Sequence, residues 1–325
     1  MALSKVERIF LRRVTSLSAL TAVSGSGGST LALKSNGTVW AWGANFYGEV
    51  GDGTTITRAL PVKVSNLTNV TAISAGGSSM ALKSDGTVWA WGRNSSGQLG
   101  DGTTTDRKLP TQITSLAQVK AISAGGDFGL ALKLDGTVWS WGANDWGQLG
   151  DGSTANHSLP APINGLSNIV SISGGSQHTV ALKSDGTVWS WGRNNFSQVG
   201  DGTTAFRQLT PVQVTSLTGA IAVSAGGDHS MALKSNGTVW CWGSDRVGQL
   251  GDPTDQSLSN QQHADPRMVI WITGITAISA GGQHSFALQN NGLLWSWGDD
   301  NLGQLGDSSS GYYRWWPKEV SAAAP

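Results

Sequence analysis

The tetrad Trp-x-Trp-Gly occurs six times, beginning at Trp40, Trp89, Trp139, Trp189, Trp240 and Trp295, and its first four intervals are 49, 50, 50 and 51 residues. A unit recurring at about 50 residues is a supersecondary structure that buries its apolar face only against its neighbours. The chain must therefore fold as an array. Its 325 residues are expected to form a single domain, because repeat arrays and closed all-β folds exceed the usual domain length.

The second copy shows how the unit is built. Val70 to Ala75 (VTAISA), Met80 to Lys83 (MALK), Thr87 to Gly92 (TVWAWG) and Pro110 to Ile113 (PTQI) alternate apolar with small polar residues and are rich in β-branched and aromatic side chains. That pattern predicts four short strands, and no window keeps the i, i+3, i+4, i+7 stripe of a helix. Asn-Gly or Asp-Gly lies between the second and third strands of every copy: Asn36-Gly37, Asp85-Gly86, Asp135-Gly136, Asp185-Gly186, Asn236-Gly237 and Asn291-Gly292. These pairs predict tight hairpins with type I′ turns. Pro61, Pro110, Pro160, Pro211, Pro266 and Pro317 cannot donate to an interior ladder and mark the outermost strand. Radially repeated four-stranded antiparallel sheets make an all-β β-propeller. Six blades are expected, with repeats at approximately 14–59, 60–109, 110–159, 160–210, 211–265 and 266–320 inside a single domain of residues 1–325.

Composition supports this reading and excludes several functions. Glycine, at 45 residues, is about twice average usage, and charged residues, at 13%, are about half of it, as many tight turns and few solvating helices require. The 21 basic and 21 acidic residues cancel, so no general field favours nucleic acid or an anionic membrane. No stretch of about 20 apolar residues signals a transmembrane helix, and the chain reads as soluble. Cys241 is the only cysteine, so there is no intrachain disulfide, which favours a cytoplasmic over a secreted setting. Lys5, Arg8, Arg12 and Arg13 give a basic start resembling a transit peptide. However, Phe10 to Ala22 aligns with Leu60 to Ala72, which makes it the edge of the first repeat and leaves 1–9 as a disordered or basic leader.

The unit V-x-A-I-S-A-G-G-x-H-S-x-A-L-K-S-D-G-T-V-W-x-W-G-x-N-x-x-G-Q-L-G-D-G-T resembles the repeat family named after the regulator of chromosome condensation. Ala-Gly-Gly-x-His-Ser, Trp-x-Trp-Gly-x-Asn and Gly-Gln-Leu-Gly-Asp-Gly occur in the family's order and spacing over most of the chain, and the strict Lys-Ser-Asp-Gly-Thr-Val-Trp segment looks like the bacterial branch. The resemblance implies a propeller with blades of four strands. Family members usually have seven blades, whereas this sequence counts six. Two outer-strand candidates compete for one place in a six-bladed ring: Arg12 to Val14 before the first unit, acting as a clasp, and Pro317 to Val320 after the last. A partial extra blade, or completion by a neighbouring protomer, is the lesser alternative.

Most repeated residues read as scaffold. Trp40, Trp42, Trp89, Trp91, Trp139, Trp141, Trp189, Trp191, Trp240, Trp242, Trp295 and Trp297 are expected to pack blade against blade. His178, His229 and His284 share one repeat position and are expected to hydrogen-bond; no metal and no cofactor are anticipated, since equivalent atoms on adjacent blades lie too far apart for one ion. Asp52, Asp101, Asp151, Asp201, Asp252 and Asp307 read as Asx-turn residues, because a phosphate loop needs a lysine and a following helix. A UV-B photoreceptor is disfavoured: where those similar proteins carry Gly-Trp-Arg-His-Thr, this chain has Gly226-Gly227-Asp228-His229-Ser230 and Gly281-Gly282-Gln283-His284-Ser285.

Function must lie in departures from the repeat. The residue before the loop glycine varies as Tyr47, Ser96, Trp146, Phe196 (here before Ser197), Val247 and Leu302, which places Tyr47, Trp146, Phe196 and Leu302 on one rim as partner-binding candidates or as lids over the blade core. Tyr312, Tyr313, Arg314, Trp315 and Trp316 form a second cluster, a ring staple or a binding patch, and Pro253 to Trp271 lengthens the fifth interval to 55 residues. The reading is a non-enzymatic protein-interaction scaffold with no catalytic residues, no nucleic acid and no membrane insertion. The resemblance also implies two alternatives, an exchange factor for a small GTPase or a proteinaceous enzyme inhibitor. A carbohydrate-binding module ranks lower.

Overall fold

A computed structural model describes residues 14, 17–252, 262–306 and 313–320. Six four-stranded antiparallel sheets follow one another along the chain, spanning 20–63, 70–112, 119–162, 169–213, 220–268 and 275–319, with strands in sequence order within each sheet. The third blade serves as the template, with strands Val119–Ala124, Phe128–Lys133, Val138–Gly142 and His157–Pro162. The first strands adjoin one another around a central cavity of about 900 Å³, and the prolines lie in the fourth, outermost strands. Each sheet ends on its proline strand, so the blade limits are offset by a few residues from the sequence repeats. Pro317 to Val320 completes the sixth blade: Ser296 pairs with Lys318, and the Val320 amide donates to the Leu294 carbonyl at 2.8 Å.

The hairpin turns differ from the type I′ expectation. The Lys34 amide donates to the Thr38 carbonyl and the Gly37 amide to the Lys34 carbonyl, both at 2.9 Å, which leaves a three-residue loop, Ser35-Asn36-Gly37. Only the glycine has positive φ, from 74° to 89° across the six copies. This is a type I turn closed by a glycine bulge. The Asn or Asp does not adopt the left-handed region; its carboxamide or carboxylate oxygen instead accepts the amide two residues on, as Asp85 does from Thr87 at 3.0 Å.

Second and third strands supply the core. Leu130, Leu132, Val138 and Trp191 belong to one buried cluster, so the second tetrad tryptophan of the fourth blade packs on the third. Five seams repeat this arrangement and add two hydrogen bonds each. An inner-strand amide donates to a serine hydroxyl of the preceding blade, as Ala124 does to Ser74 at 2.9 Å, and the second tryptophan's Nε1 donates to a loop carbonyl of the preceding blade, as Trp141 does to Gln98 at 2.9 Å. The other tryptophan bonds are Trp91 to Glu49, Trp191 to Gln148, Trp242 to Gln198 and Trp297 to Gln249. These five indoles are fully buried. Trp42, in the first blade, is only partly buried, and the first tryptophan of every tetrad is half-buried, stacked under a lysine ammonium in the first five blades.

Candidate functional site

The loops after the third strands form one rim, and a fixed set of side chains shapes each of them. In the second blade Asn94 is fully buried; its Oδ1 accepts the Leu99 amide at 2.9 Å while its Nδ2 donates to the Thr103 and Thr105 carbonyls at 3.1 and 3.0 Å. Gln98 Oε1 accepts the Ser96 amide at 2.8 Å. Gly100, at φ 69°, lies against the next blade's Trp141, whose Nε1 would be 2.8 Å from any Cβ added there. Asp101 pairs with Arg107 at 2.7 Å and accepts from Thr103, and these hydrogen bonds, with the neighbouring guanidinium, outweigh burial and hold its carboxyl below the usual range. The Gly-Asp-Gly segments are thus Asx-turn scaffolding that seats the next tryptophan.

The variable position sits at the crest of this loop. Its amide is held by the side chain two residues on in all six copies: Glu49 for Tyr47, Gln98 for Ser96, Gln148 for Trp146, Gln198 for Phe196, Gln249 for Val247 and Gln304 for Leu302. The backbone is therefore fixed independently of the side chain displayed. Tyr47 and Leu302 are exposed, whereas Trp146 and Phe196 are half-buried.

Trp146 and Phe196 are brought together by a residue that the sequence did not single out. The Arg193 guanidinium lies 4.8 Å from the Trp146 ring centroid and 5.0 Å from that of Phe196; the Arg246 guanidinium lies 4.4 Å from the Phe196 centroid. Phe206, largely exposed, packs on Trp146 at 5.1 Å. Asp228 sits 3.6 Å from Arg193, and burial raises its carboxyl while Arg193 and Arg246 act to lower it. Tyr47 stands apart, with Arg93 at 5.7 Å, and Leu302 borders the central cavity on the sixth blade. The available signal was that Arg93 and Arg193 replace the small residue that follows the tetrad in the first and third copies, Ala44 and Ala143.

The second cluster lies elsewhere. Tyr313, Arg314, Trp315 and Trp316 belong to the outer strand Tyr313–Glu319 of the sixth blade, with Tyr313 edge-on to Trp315 at 5.7 Å and Gly248 of the fifth blade against the Arg314 backbone. Tyr312 lies outside the described residues, as do 1–9, Asp307 and 253–261. The remainder of the long fifth connection contains that blade's fourth strand, Gln262–Met268.

Among the described residues no group of three His, Cys, Asp or Glu side chains could hold a metal ion. His178 Nε2 and His229 Nε2 each meet a serine hydroxyl of the following blade at 2.9 Å, Ser230 and Ser285, and burial pushes both imidazoles down to about 3. Cys241 is buried and its thiol is pushed up by desolvation, the reverse of an activated nucleophile. No helix among the described residues is long and apolar enough to cross a membrane.

Known proteins match this architecture. The chain resembles human WBSCR16 with a TM-score of 0.83 at 23% identity over 93% of this chain and 81% of that one. It resembles Prp20p of Saccharomyces cerevisiae, whose structure is described with its binding properties to Gsp1p and histones, with a TM-score of 0.82 at 25% identity over 93% and 77%. In sequence it is 36% identical over 88 residues to the probable E3 ubiquitin-protein ligase HERC4 of Rattus norvegicus, 26% of this chain but 8% of that protein. It is 40% identical over 102 residues to the mitochondrial RCC1 domain-containing protein RUG3 of Arabidopsis thaliana, 30% of this chain and 22% of that protein. The chain thus spans a small part of these curated relatives. The RCC1-like domain model matches residues 118–324, and regulator of chromosome condensation repeats match 36–82 and 85–132, so the chain belongs to the regulator of chromosome condensation repeat family.

Proposed function

We propose that the chain is a non-catalytic protein-binding platform whose contact surface is the aromatic and arginine cluster on the third to fifth blades: Trp146, Phe206, Arg193, Phe196 and Arg246. The observation that carries this reading is the stacking of two arginines on rim aromatics whose backbone is held independently of their identity. Trp, Tyr and Arg anchors on a rigid support are the residues that dominate binding energy at protein interfaces. The binding of Gsp1p and histones named for Prp20p supports a protein partner. Tyr47 and Leu302 extend the surface on other blades, and the Tyr313 to Trp316 strand offers a secondary patch.

Comparing proteins captured from the source cell by wild type and by the Tyr47→Ala, Trp146→Ala, Phe196→Ala variant tests this reading. Loss of about 2 kcal/mol at an anchor weakens binding roughly 30-fold. A partner retained equally by a variant with native-like folding sinks the proposal. The exchange-factor reading also draws on Prp20p, and release of a fluorescent guanine nucleotide from a small GTPase, with and without the chain, decides it.

A further inference from the structure

The two arginines stacked on Phe196 have different duties. Arg193 is spent within the chain: its Nη1 donates to Gln177 Oε1 at 2.8 Å and lies 3.6 Å from Asp228. Arg93, at the same place in the second blade, is likewise held by Asp127 at 3.3 Å. Arg246 is exposed, and among the described residues no group accepts its N–H protons and no carboxylate pairs with it within 4.0 Å. Asp228 feels it only at longer range. The Arg246 guanidinium is nevertheless fixed in place, 4.4 Å from the Phe196 ring centroid. Contact with a ring uses the face of a guanidinium and leaves its N–H fork in plane, the geometry that binds a carboxylate through two parallel hydrogen bonds.

An apolar anchor beside it comes from an irregularity of the fourth blade. Gly192 pairs with Gln208, whereas Gly92 pairs with Arg107 and Gly142 with His157, so the connection between the third and fourth strands is one residue longer here. In the second and third blades a side chain at the end of this connection accepts the loop asparagine's amide, Asp106 for Asn94 and Asn156 for Asn144, both at 2.8 Å. In the fourth blade the Phe206 carbonyl does this for Asn194 at 3.0 Å, which frees the side chain to lie on the third blade's crest. The Phe206 ring stands 5.1 Å from Trp146 and is 59% exposed, and Arg207 ties the segment down by donating to the Asp145 carbonyl at 2.9 Å. A large exposed aromatic on a fixed backbone suits an apolar partner side chain. The exposed charges adjoining the cluster are Arg207 and Arg246, positive, and Asp145, negative, while Arg193 and Asp228 offset each other. One positive charge is left to match.

We propose that Arg246 is the carboxylate receptor of the rim, and that the segment it receives carries one acidic side chain, aspartate or glutamate, close to a large apolar side chain that packs on Phe206 and Trp146. Arg193 is then a positioning residue: it lies against the Trp146 and Phe196 rings while its own N–H groups are taken by Gln177 and Asp228. The charge excess calls for a single carboxylate beside an apolar anchor, not a run of acidic residues. This inference deepens the protein-binding reading of the rim and rests on it.

The probe is a set of labelled nine-residue peptides, each with one glutamate placed one to four positions from a phenylalanine or leucine on a glycine and serine background. Matched sets carry glutamine, lysine or phosphoserine in place of the glutamate, and binding to the full chain is followed by fluorescence anisotropy. The best glutamate peptide should bind about tenfold more tightly than its glutamine match, a preference that fades as salt is added. Arg246→Gln should abolish that preference at an unchanged urea midpoint, because the side chain is exposed and bonds nothing; Lys120→Gln, which removes the same charge from an exposed site on the third blade's inner strand, should leave it intact. Phe206→Ala should weaken the glutamate and glutamine peptides alike. No binding, equal binding of glutamate and glutamine peptides, a preference that survives Arg246→Gln, or binding of the phosphoserine peptides alone overturns the proposal. A cellular partner lost by the Tyr47→Ala, Trp146→Ala, Phe196→Ala variant, with no glutamate preference among the peptides, removes the carboxylate assignment and leaves the rim reading standing.

Discussion

Trp141→Ala and Trp42→Ala occupy the same repeat position but should differ severalfold in cost. Trp141 is fully buried against Leu99, Ile113 and Leu116, and its Nε1 donates to Gln98. Truncating a buried tryptophan costs about 3–5 kcal/mol, and stranding the Gln98 carbonyl moves the expectation to the upper end. Trp42 lies outside the five closed seams, is partly exposed and lacks the carbonyl acceptor, so losing part of its burial costs about 1 kcal/mol. At roughly 2–4 °C per kcal/mol for a chain of this size or somewhat smaller, Trp141→Ala should lower Tm by about 10 °C and Trp42→Ala by a few degrees. Urea titration followed by far-UV circular dichroism gives the same comparison as a shift in midpoint at constant m. Equal shifts for the two variants would refute the reasoning, because they would mean that the sixth seam is closed like the other five.

Asn94→Ala removes a fully buried carboxamide that bonds Leu99, Thr103 and Thr105 and should cost about 2–4 kcal/mol, read by the urea midpoint. Gln118 has φ 58° at a linker position where two copies carry Gly219 and Gly274, so Gln118→Gly should stabilise by about 0.5–1 kcal/mol, the left-handed strain relieved less the extra chain entropy of glycine. His178 and His229 are held neutral down to about 3, so the unfolded chain takes up their protons first. Their stability contribution is whole above pH 6.5 and is lost as pH falls from there toward 3, at up to about 3 kcal/mol per pH unit for the pair. A midpoint independent of pH between 6.5 and 4.5 would contradict that burial. The carboxylates lowered by hydrogen bonds, Asp85 and Asp135 among them, act in the same direction only below their ordinary value of 3.8.

The blades, their strands and their proline edges were legible because they depend on a period and on a missing amide, both visible in one repeat. The turn type is not legible for a local reason: Asn36-Gly37 reads as a complete two-residue loop, although Ser35 belongs to it and the asparagine oxygen accepts the Thr38 amide while Asn36 stays out of the positive-φ region. Trp146 and Phe196 were found as departures from the repeat, but their partner was not, because Arg193 comes from the blade after Trp146 and its role depends on two loops meeting at a seam. Trp42 is indistinguishable in sequence from the other tetrad tryptophans for a related reason. Counting copies establishes how many faces exist, and only packing shows that one of them lacks a neighbour.

The same division explains how the rim can carry function on so repetitive a chain. Each loop spends its invariant residues on tasks that do not involve the crest side chain: Asn94 and its equivalents fix the loop from within, the glycine directly before the aspartate seats the next blade's tryptophan, and the glutamine holds the crest amide. Replacing Ser96 by a residue as large as Trp146 therefore leaves the backbone bonds unchanged, as the two copies themselves demonstrate with amide bonds of 2.8 and 2.9 Å. Side chains at six crests can vary freely while their positions stay fixed to the blade spacing. An arginine two residues after a tetrad tryptophan then decides whether a crest aromatic of the preceding blade is left bare or stacked, as Arg193 does for Trp146 and Arg93 for Tyr47. Under the proposed reading, specificity would be set by a few positions that the fold does not need, so substitutions in the aromatic and arginine cluster on the third to fifth blades should change binding without changing the fold.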